Sequence, residues 1–327
     1  MRVAAVSGGI GGARFLRGLV SVLAPDDDVT VIANTADDIW LFGLKICPDL
    51  DTLMYTLGGG IDEDRGWGRA AETWHAQEEL AAYGVQPDWF GLGDRDLATH
   101  VVRTQMLSAG YSLSAVTAAL CERWQPGVRL LPMSDDRVET HVLIDDATAT
   151  AGRRAVHFQE YWVRLHAEPP VQDVVVVGLD RATPAPGVLQ AITEADVVLL
   201  PPSNPVVSVG TVLGVPTLAD ALRAGAAPVI GVSPVIAGSA VRGMADQLLA
   251  GLGRDGTAAG IARHYGARSA GGVLDGWLID SVDAAAVPGI EAAGIAARAV
   301  PLLMHGHEAT AAMARAALDL AAQTTPQ

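Results

Sequence analysis

Hydrophobic residues follow two alternating patterns along the chain, and this alternation predicts an α/β protein. Short apolar, often β-branched runs at residues 2–6 and 29–32 are typical of buried parallel strands. Between them, residues 12–23 place apolar side chains at helical spacing. Similar strand-like runs occur at 138–144, 173–177, 196–200, 227–232, 273–279 and 297–302. Helical stretches separate several of these runs, so we predict a Rossmann-like, doubly wound, mostly parallel sheet with helices on both faces.

The pattern changes between residues 61 and 124, where β-branched residues become rare. Helices are expected there at 73–83, 94–109 and 113–124. Four apolar residues of the second helix should share one face: Leu97, Val101, Val102 and Met106. We therefore predict a small helical insertion subdomain at 61–124, within a Rossmann-like main domain formed by 1–60 and 125–327.

A glycine-rich loop follows the first predicted strand. It contains Gly8, Gly9, Gly11 and Gly12. Glycine permits a sharp turn and the close approach of a ligand, and the following helix would direct unpaired N–H groups towards the loop. This arrangement suits a phosphate, although a tight strand-to-helix turn is the alternative. The loop is not a dinucleotide fingerprint, because Arg14 occupies its sixth position, nor a Walker loop, because the only lysine is Lys45.

Aspartates are concentrated after the second predicted strand, at Asp37, Asp38, Asp49 and Asp51. Because the carboxyl ends of parallel strands meet at one edge of a sheet, these residues should face the glycine loop. Closely spaced carboxylates suit magnesium, which takes hard oxygen ligands and usually one or two carboxylates plus substrate phosphates. The alternative is that they cap turns and the helix expected at 52–57.

Three other polar stretches are candidates for function. Asp96 and His100 would lie four residues apart on one helix face. Residues 157–162 combine a histidine with three aromatic side chains, which could hold a flat ring or form a corner of the core. Ser203 and Asn204, between prolines after an apolar strand, could bind a base or phosphate or form a plain connecting loop.

Charge and composition exclude several classes of protein. A net charge of −15 argues against broad binding to nucleic acid or to an anionic membrane. Two cysteines form no disulfide framework. No signal peptide or membrane-spanning run is evident, so we expect a cytoplasmic protein. Motifs of covalent catalysis are also missing, and positioning two substrates while neutralising phosphate charge is sufficient for phosphoryl-type transfer.

Seven stretches, taken in order, resemble the 2-phospho-L-lactate transferase (CofD) family and especially its mycobacterial branch, FbiA. They are residues 7–12, 34–40, 48–52, 92–100, 131–136, 157–162 and 202–205. The likeness extends over nearly the whole chain and implies the same Rossmann-like domain with a small helical one.

The resemblance implies a transferase of coenzyme F-420 biosynthesis. The terminal ribityl hydroxyl of the deazaflavin Fo would attack the β-phosphate of a GDP-activated donor, and GMP would leave. An enolpyruvyl donor would give dehydro-F-420-0, and a lactyl donor would give F-420-0. No residue distinguishes these donors, but the mycobacterial likeness favours enolpyruvyl. The resemblance also implies Mg²⁺ as cofactor and a homodimer.

The same resemblance assigns the nucleotide site. Gly8, Gly9, Gly11 and Gly12 would hold the diphosphate. The guanosine side of the donor would lie near Ser203, Asn204 and Pro205.

The deazaflavin would lie against a second set of residues: Asp37, Asp38, Trp40, Asp51 and Asp94. Asp37 and Asp51 would hold the metal, and one of them would accept or orient the proton of the hydroxyl. Archaeal relatives carry a lysine where this chain has Gly91, so any deazaflavin contact made by that lysine must come from elsewhere.

Two other classes stay open. One is a non-enzymatic regulator of the gluconeogenesis-factor type, which shares such a glycine loop and binds a nucleotide sugar. The other is a nicotinamide-dependent oxidoreductase, which Arg14 and the lack of an acidic residue after the second strand disfavour.

Overall fold

The computed structural model describes residues 1–149, 151–241 and 243–324. Its strands are β1 (Arg2–Ser7), β2 (Asp28–Ala33), β3 (Ile39–Leu41), β4 (Leu44–Ile46), β5 (Arg129–Pro132), β6 (Glu139–Asp145), β7 (Arg153–His157), β8 (Val171–Val177), β9 (Val197–Leu200), β10 (Val229–Val232), β11 (Val235–Ile236), β12 (Ser239–Ala240), β13 (Gly276–Asp280) and β14 (Ala296–Val300). Seven of them form a parallel central sheet in the order β14-β13-β10-β9-β1-β2-β5.

Helices cover both faces of this sheet. They are α1 (Gly9–Val20), α2 (Pro48–Leu57), α3 (His75–Ala82), α4 (Asp94–Ser108), α5 (Leu113–Trp124), α6 (Val188–Thr193), α7 (Val209–Gly214), α8 (Leu218–Ala224), α9 (Ala245–Gly251), α10 (Ala258–Tyr265), α11 (Val287–Ala292) and α12 (Gly306–Thr324). One core cluster joins the sheet to α1, α2, α5 and α12. A second joins it to α6, α7, α8, α10 and α11. The predicted doubly wound α/β fold is therefore confirmed.

The strand order places a switch point between β1 and β9. These strands are neighbours in the sheet, but β1 continues into α1 on one face and β9 leads to α7 on the other. Chain connections thus diverge at the carboxyl ends of the two strands, which opens a crevice there. The glycine loop and residues 201–205 form the two sides of this crevice.

The structure corrects the predicted position of two strands. Strands β6 and β8, expected within a mostly parallel sheet, pair antiparallel in a separate three-stranded sheet of order β7-β6-β8. Buried residues alternate with less buried ones along β6, as in a strand with one open face. The continuous apolar runs of β1 and β9, by contrast, lie in the middle of the central sheet.

Helix starts also differ from the prediction. Helix α1 begins at Gly9 rather than at residue 12, and α2 begins at Pro48 rather than at residue 52. On α4 the interior face is polar: Thr99, His100 and Arg103 are buried, whereas the predicted apolar-face residues Val101 and Val102 are 49% and 43% exposed. The division into a main domain and an insertion at 61–124 stays a prediction. No helix in the described part of the chain is long and apolar enough to cross a membrane.

Close contact between α1 and α12 gives a prediction about stability. A Cβ added to Gly18 of α1 would lie 2.6 Å from the carbonyl carbon and 2.7 Å from the oxygen of Thr310. We expect Gly18→Ala to lower the free energy of unfolding by about 1–3 kcal/mol, because main-chain atoms cannot move aside. In contrast, the matched variant Gly289→Ala on α11 meets no atom within 4 Å and should be neutral or stabilising. Urea unfolding measures both, and equal effects would contradict this packing.

Candidate functional site

The glycine loop and the loop after β9 are joined by Ser203. Its Oγ donates a hydrogen bond to the Gly8 carbonyl at 2.8 Å and lies 3.3 Å from the Gly8 N–H. A Cβ at Gly11 would overlap the Pro202 carbonyl. Gly9 has a φ of 66°, a conformation that favours glycine. The predicted diphosphate-binding glycines and Ser203 therefore lie together at the first turn of α1.

Asn204 and Pro205 complete the second side of the crevice. The Oδ1 atom of Asn204 accepts hydrogen bonds from the N–H groups of Val206 and Val207, at 2.9 and 3.2 Å. This side-chain carbonyl therefore shapes its own turn, as asparagine commonly does.

Asn34 brings the acidic segment, which we define as residues 34–51 with their four aspartates, against the glycine loop. Its Nδ2 donates to Asp49 Oδ2 at 2.9 Å, and its Oδ1 accepts from the Ala36 N–H at 3.1 Å. A Cβ at Gly8 would lie 2.6 Å from Asp49 Oδ2. The Asp49 carboxylate is thus in contact distance of the glycine loop. It lies inside the first turn of α2 and does not cap the helix, whose N-cap residue is Cys47.

Asp37 and Asp49 form a pair of buried carboxyls. Burial raises the pKa of Asp37 well above its ordinary value, and the charges of Asp49 and Asp38 raise it further. Burial likewise raises the pKa of Asp49 to about 6, against the opposing hydrogen bond from Asn34. Within the described residues, Asp37 Oδ1 is buried without a hydrogen-bond partner. We call these two carboxyls the acidic pair.

Asp38 has a cationic partner of its own. Lys45 Nζ lies 3.1 Å from Asp38 Oδ2. Burial alone would lower the pKa of Lys45, but the charge of Asp38, the neighbouring Cys47 and the hydrogen bond to Asp38 together raise it. Trp40 is paired with Lys45 across the β3–β4 hairpin and is 45% exposed. Of the predicted deazaflavin residues, Asp38 therefore belongs to a buried ion pair, and Trp40 lies across the hairpin from the lysine of that pair.

Asp51 is also neutralised, by Arg103 of α4. Both carboxylate oxygens accept from the guanidinium, one of them at 3.1 Å from Nη1. His100 Nδ1 lies 3.0 Å from the same Nη1, and His100 Nε2 lies 3.5 Å from Asp96 Oδ2. Burial alone would lower the pKa of Arg103, but the charge of Asp51, its hydrogen bond and the neighbouring Cys47 and Tyr55 together raise it. Asp51, predicted as a metal ligand and proton acceptor, is thus engaged through both oxygens.

Asp94 caps a neighbouring helix. Its carboxylate accepts from Thr73 Oγ1 at 2.6 Å and from the N–H groups of His75 and Ala76 at 3.1 and 2.9 Å. These groups lie at the start of α3, and their hydrogen bonds lower the pKa of Asp94. Its predicted contact with the deazaflavin stays a prediction.

Other residues at the site were not among the predicted ones: Asn34, Lys45, Arg103 and Thr140. A signal existed for two of them. Lys45 is the only lysine of the chain, and Arg103 follows His100 by three residues on one helix face. Thr140 belongs to the separate antiparallel sheet, so nothing in its local sequence indicates a contact with the acidic segment. His157 was a candidate within residues 157–162, but its contact with the Asp38 carbonyl was not predicted.

The aromatic residues at 158–161 form a corner of the core. Phe158 and Tyr161 are buried in a cluster under the three-stranded sheet. The hydroxyl of Tyr161 lies 3.1 Å from the carbonyl oxygens of both Ala167 and Pro169. These two rings are therefore not available to stack on a ligand, whereas Trp162, the third aromatic residue of the predicted stretch, is 40% exposed.

The acidic pair fits the requirements of magnesium. No group of three or more histidine, cysteine or acidic side chains suited to a metal occurs in the described ranges. Magnesium needs fewer, since it takes one or two carboxylates and keeps waters and substrate phosphates as its other ligands. The orphaned oxygen of Asp37, in a buried pair with Asp49, meets that need.

The fold and this site define an α/β protein in which a helix N-terminus and a buried acidic pair follow the carboxyl ends of two neighbouring strands, β1 and β2. The family model described as 2-phospho-L-lactate transferase CofD matches residues 3–293. The chain belongs to this family. The predicted class, a transferase enzyme of coenzyme F-420 biosynthesis, is thereby confirmed.

Relatives match along almost their entire length. A phosphoenolpyruvate transferase of Streptomyces avermitilis is 65% identical over 321 residues, covering 98% of each chain. One of Kitasatospora aureofaciens is 64% identical over 323 residues, covering 99% of this chain and 98% of that one. One of Mycobacterium sp. (strain JLS) is 58% identical over 336 residues, covering 99% of this chain and 100% of that one.

A solved structure supports the fold. The crystal structure of protein BH3568 from Bacillus halodurans has a TM-score of 0.62 with 18% sequence identity. The match covers 97% of this chain and 99% of that chain. At this level of identity the likeness concerns the fold alone.

Breaking the Arg103–Asp51 pair should destabilise the protein strongly. We expect Arg103→Met to lower the free energy of unfolding by about 3–5 kcal/mol, because the buried Asp51 charge is left uncompensated. The double variant Arg103→Met/Asp51→Leu should recover most of this loss. Arg263→Met, which removes an exposed ion pair with Asp255, is the control and should change it by less than about 1 kcal/mol. Urea unfolding measures all three, and no recovery in the double variant would argue against the pairing.

The stability of the metal-free protein should depend on pH through Asp49. Its carboxyl has a pKa of about 6 in the folded chain against 3.8 ordinarily, so folding favours the protonated form. This contribution favours folding at low pH and is lost as pH rises through 6. The unfolding free energy of Asp49→Asn minus that of wild type should therefore increase by roughly 2 kcal/mol from about pH 4 to pH 7. Urea unfolding in a chelator measures this, and a difference that does not vary with pH would refute it.

Proposed function

We propose that the protein transfers a phosphoenolpyruvyl group from enolpyruvyl-2-diphospho-5'-guanosine to the terminal ribityl hydroxyl of Fo. The hydroxyl oxygen forms a bond to the β-phosphorus, the bond from that phosphorus to the bridging oxygen breaks, and GMP leaves. The observation that carries this proposal is the acidic pair: among the described residues Asp37 has a buried oxygen without a hydrogen-bond partner, and the Asp49 carboxylate lies against Gly8 of the glycine loop.

The glycine loop is proposed to bind the diphosphate. Main-chain N–H groups at the start of α1 and the positive end of its dipole suit an anion. Ser203 holds the loop after β9 against Gly8, which fixes the two sides of the crevice relative to each other. The guanosine end of the donor would then follow Asn204 and Pro205.

Asp37 and Asp49 are proposed to hold Mg²⁺, in preference to the predicted set of Asp37 and Asp51. Both oxygens of Asp51 already accept from Arg103, whereas Asp37 has an oxygen to spare within the described structure. The chemistry supplied by bound Mg²⁺ is neutralisation of the diphosphate and of the charge that develops on GMP.

Asp37 is also the proposed partner of the attacking hydroxyl. Its carboxylate would orient the hydroxyl or accept its proton as the bond to phosphorus forms. Asp38 and Trp40, next to it, are proposed to flank the deazaflavin, and the Lys45 ammonium balances the charge of Asp38.

The choice of donor rests on the relatives, which are named phosphoenolpyruvate transferases. The lactyl donor is the alternative outcome of the same assay. We further propose a homodimer that acts in the cytoplasm. Sedimentation of the purified chain would test the homodimer.

The regulator alternative receives no support from the comparisons. The chain belongs to a transferase family, and the Bacillus halodurans structure carries information about the fold alone. Nucleotide binding without turnover would be the result that revives it.

A direct assay tests the proposal. Purified protein is mixed with Fo, Mg²⁺ and each activated donor separately, and products are followed by mass spectrometry. We expect dehydro-F-420-0 and GMP in equal amounts from the enolpyruvyl donor. Product from the lactyl donor alone would overturn the donor, and no product from either would overturn the reaction.

Variants of the acidic pair test its role in that reaction. Asp37→Asn and Asp49→Asn should each lower kcat/KM at least about a hundredfold, because each removes a ligand charge from the site. Asp180→Asn is the control, since its side chain is 82% exposed, and it should retain wild-type kinetics. Wild-type kinetics in either of the first two variants would exclude the acidic pair as the metal site.

A further inference from the structure

The acidic segment is held from outside by the small antiparallel sheet. The Thr140 N–H of β6 donates to the Ala36 carbonyl at 2.7 Å. His157, at the end of β7, places Nε2 3.2 Å from the Asp38 carbonyl oxygen. Two main-chain carbonyls on either side of Asp37 are therefore fixed by residues that lie far away in the sequence.

The hydrogen bonds of His157 define its protonation. Its Nδ1 accepts from the Gln159 N–H at 3.1 Å, so this nitrogen carries no proton. The proton of the neutral ring is then on Nε2, which donates to Asp38. Burial lowers the pKa of His157, and the neighbouring His141 lowers it further, against the opposing charge of Glu139. All three observations agree with a neutral ring that has one donor and one acceptor, both in use.

The ring is mounted on a rigid support. Phe158 and Tyr161, directly after it, are buried in the core under the three-stranded sheet. His157 itself lies outside that core and points its Nε2 atom at the acidic segment. Within residues 157–161, the two aromatic rings thus fix the segment in the core, and the histidine contacts the acidic segment.

We propose that His157 is a positioning residue, whose Nε2–H holds the Asp38 carbonyl so that Asp37 stays paired with Asp49. This inference rests on the proposed magnesium site. It assigns to the histidine an action through the main chain, with no contact to substrate or metal. Partners that orient metal ligands in this way typically contribute 10- to 100-fold to metal affinity or activity.

Two substitutions distinguish the hydrogen bond made by Nε2 from the one made by Nδ1. In His157→Asn the side-chain carbonyl can still accept from Gln159, but the amide is too short to reach Asp38. In His157→Gln the longer amide can donate to Asp38, while the acceptor for Gln159 is lost. We assign the effect on the acidic pair to the Nε2–H donor. The asparagine variant, which lacks this donor, should therefore lose Mg²⁺ affinity and activity, and the glutamine variant should keep both.

The experiment is Mg²⁺ binding by isothermal titration calorimetry, together with kcat and KM for the transfer reaction. We expect His157→Asn to weaken Mg²⁺ binding at least about tenfold and to lower kcat, whereas His157→Gln stays within about threefold of wild type. The control is His264→Asn on α10, a partly buried histidine whose ring lies near Arg254 rather than the acidic segment. It should leave Mg²⁺ binding unchanged.

Other outcomes would overturn the proposal. Equal Mg²⁺ affinity in wild type and His157→Asn would do so, as would equal losses in the asparagine and glutamine variants. If His157→Asn does not fold, the test depends on His157→Gln alone. A tenfold loss of Mg²⁺ affinity in His157→Gln would then refute the role assigned to the Nε2–H donor. A wild-type protein that binds no Mg²⁺ would instead show that the proposed metal site has failed.

Discussion

The burial of four aspartates at one edge of the sheet is the constraint on which the rest of the site depends. A buried carboxylate without a partner is strongly unfavourable, so each of these charges must be paired, hydrogen-bonded or protonated. Asp38 has Lys45 and Asp51 has Arg103. Asp37 and Asp49 are left with hydrogen bonds alone, and burial raises the pKa of both. Within this pair without a cation, the Asp49 carboxylate lies against the glycine loop.

This balance of charge explains features of the fold that apolar packing does not. Helix α4 turns Thr99, His100 and Arg103 inward and leaves Val101 and Val102 exposed, because Asp51 needs a buried cation. The hairpin of β3 and β4 brings Lys45 to Asp38 in the same way. Gly8, directly before α1, has a packing role as well, since a side chain there would meet Asp49.

Sequence patterns predicted the sheet better than the site. Continuous apolar runs such as those of β1 and β2 were found because a strand buried on both faces has no polar positions. The start of α1 was missed because its first turn is rich in glycine, which has low helix propensity. The contact between the glycine loop and the acidic segment could be predicted, because the two loops follow parallel strands whose carboxyl ends lie at one edge of the sheet. The different roles of Asp49 and Asp51 did not, because they depend on Arg103, which is 52 residues beyond Asp51.

The most direct test of this account is the position of the metal in a crystal of the protein soaked with Mn²⁺, located by its anomalous scattering. We expect a peak within about 2.3 Å of carboxylate oxygens of both Asp37 and Asp49, with Arg103 still bound to Asp51. A peak at Asp51, with Arg103 displaced from it, would contradict the central claim that the unpaired carboxyls form the metal site.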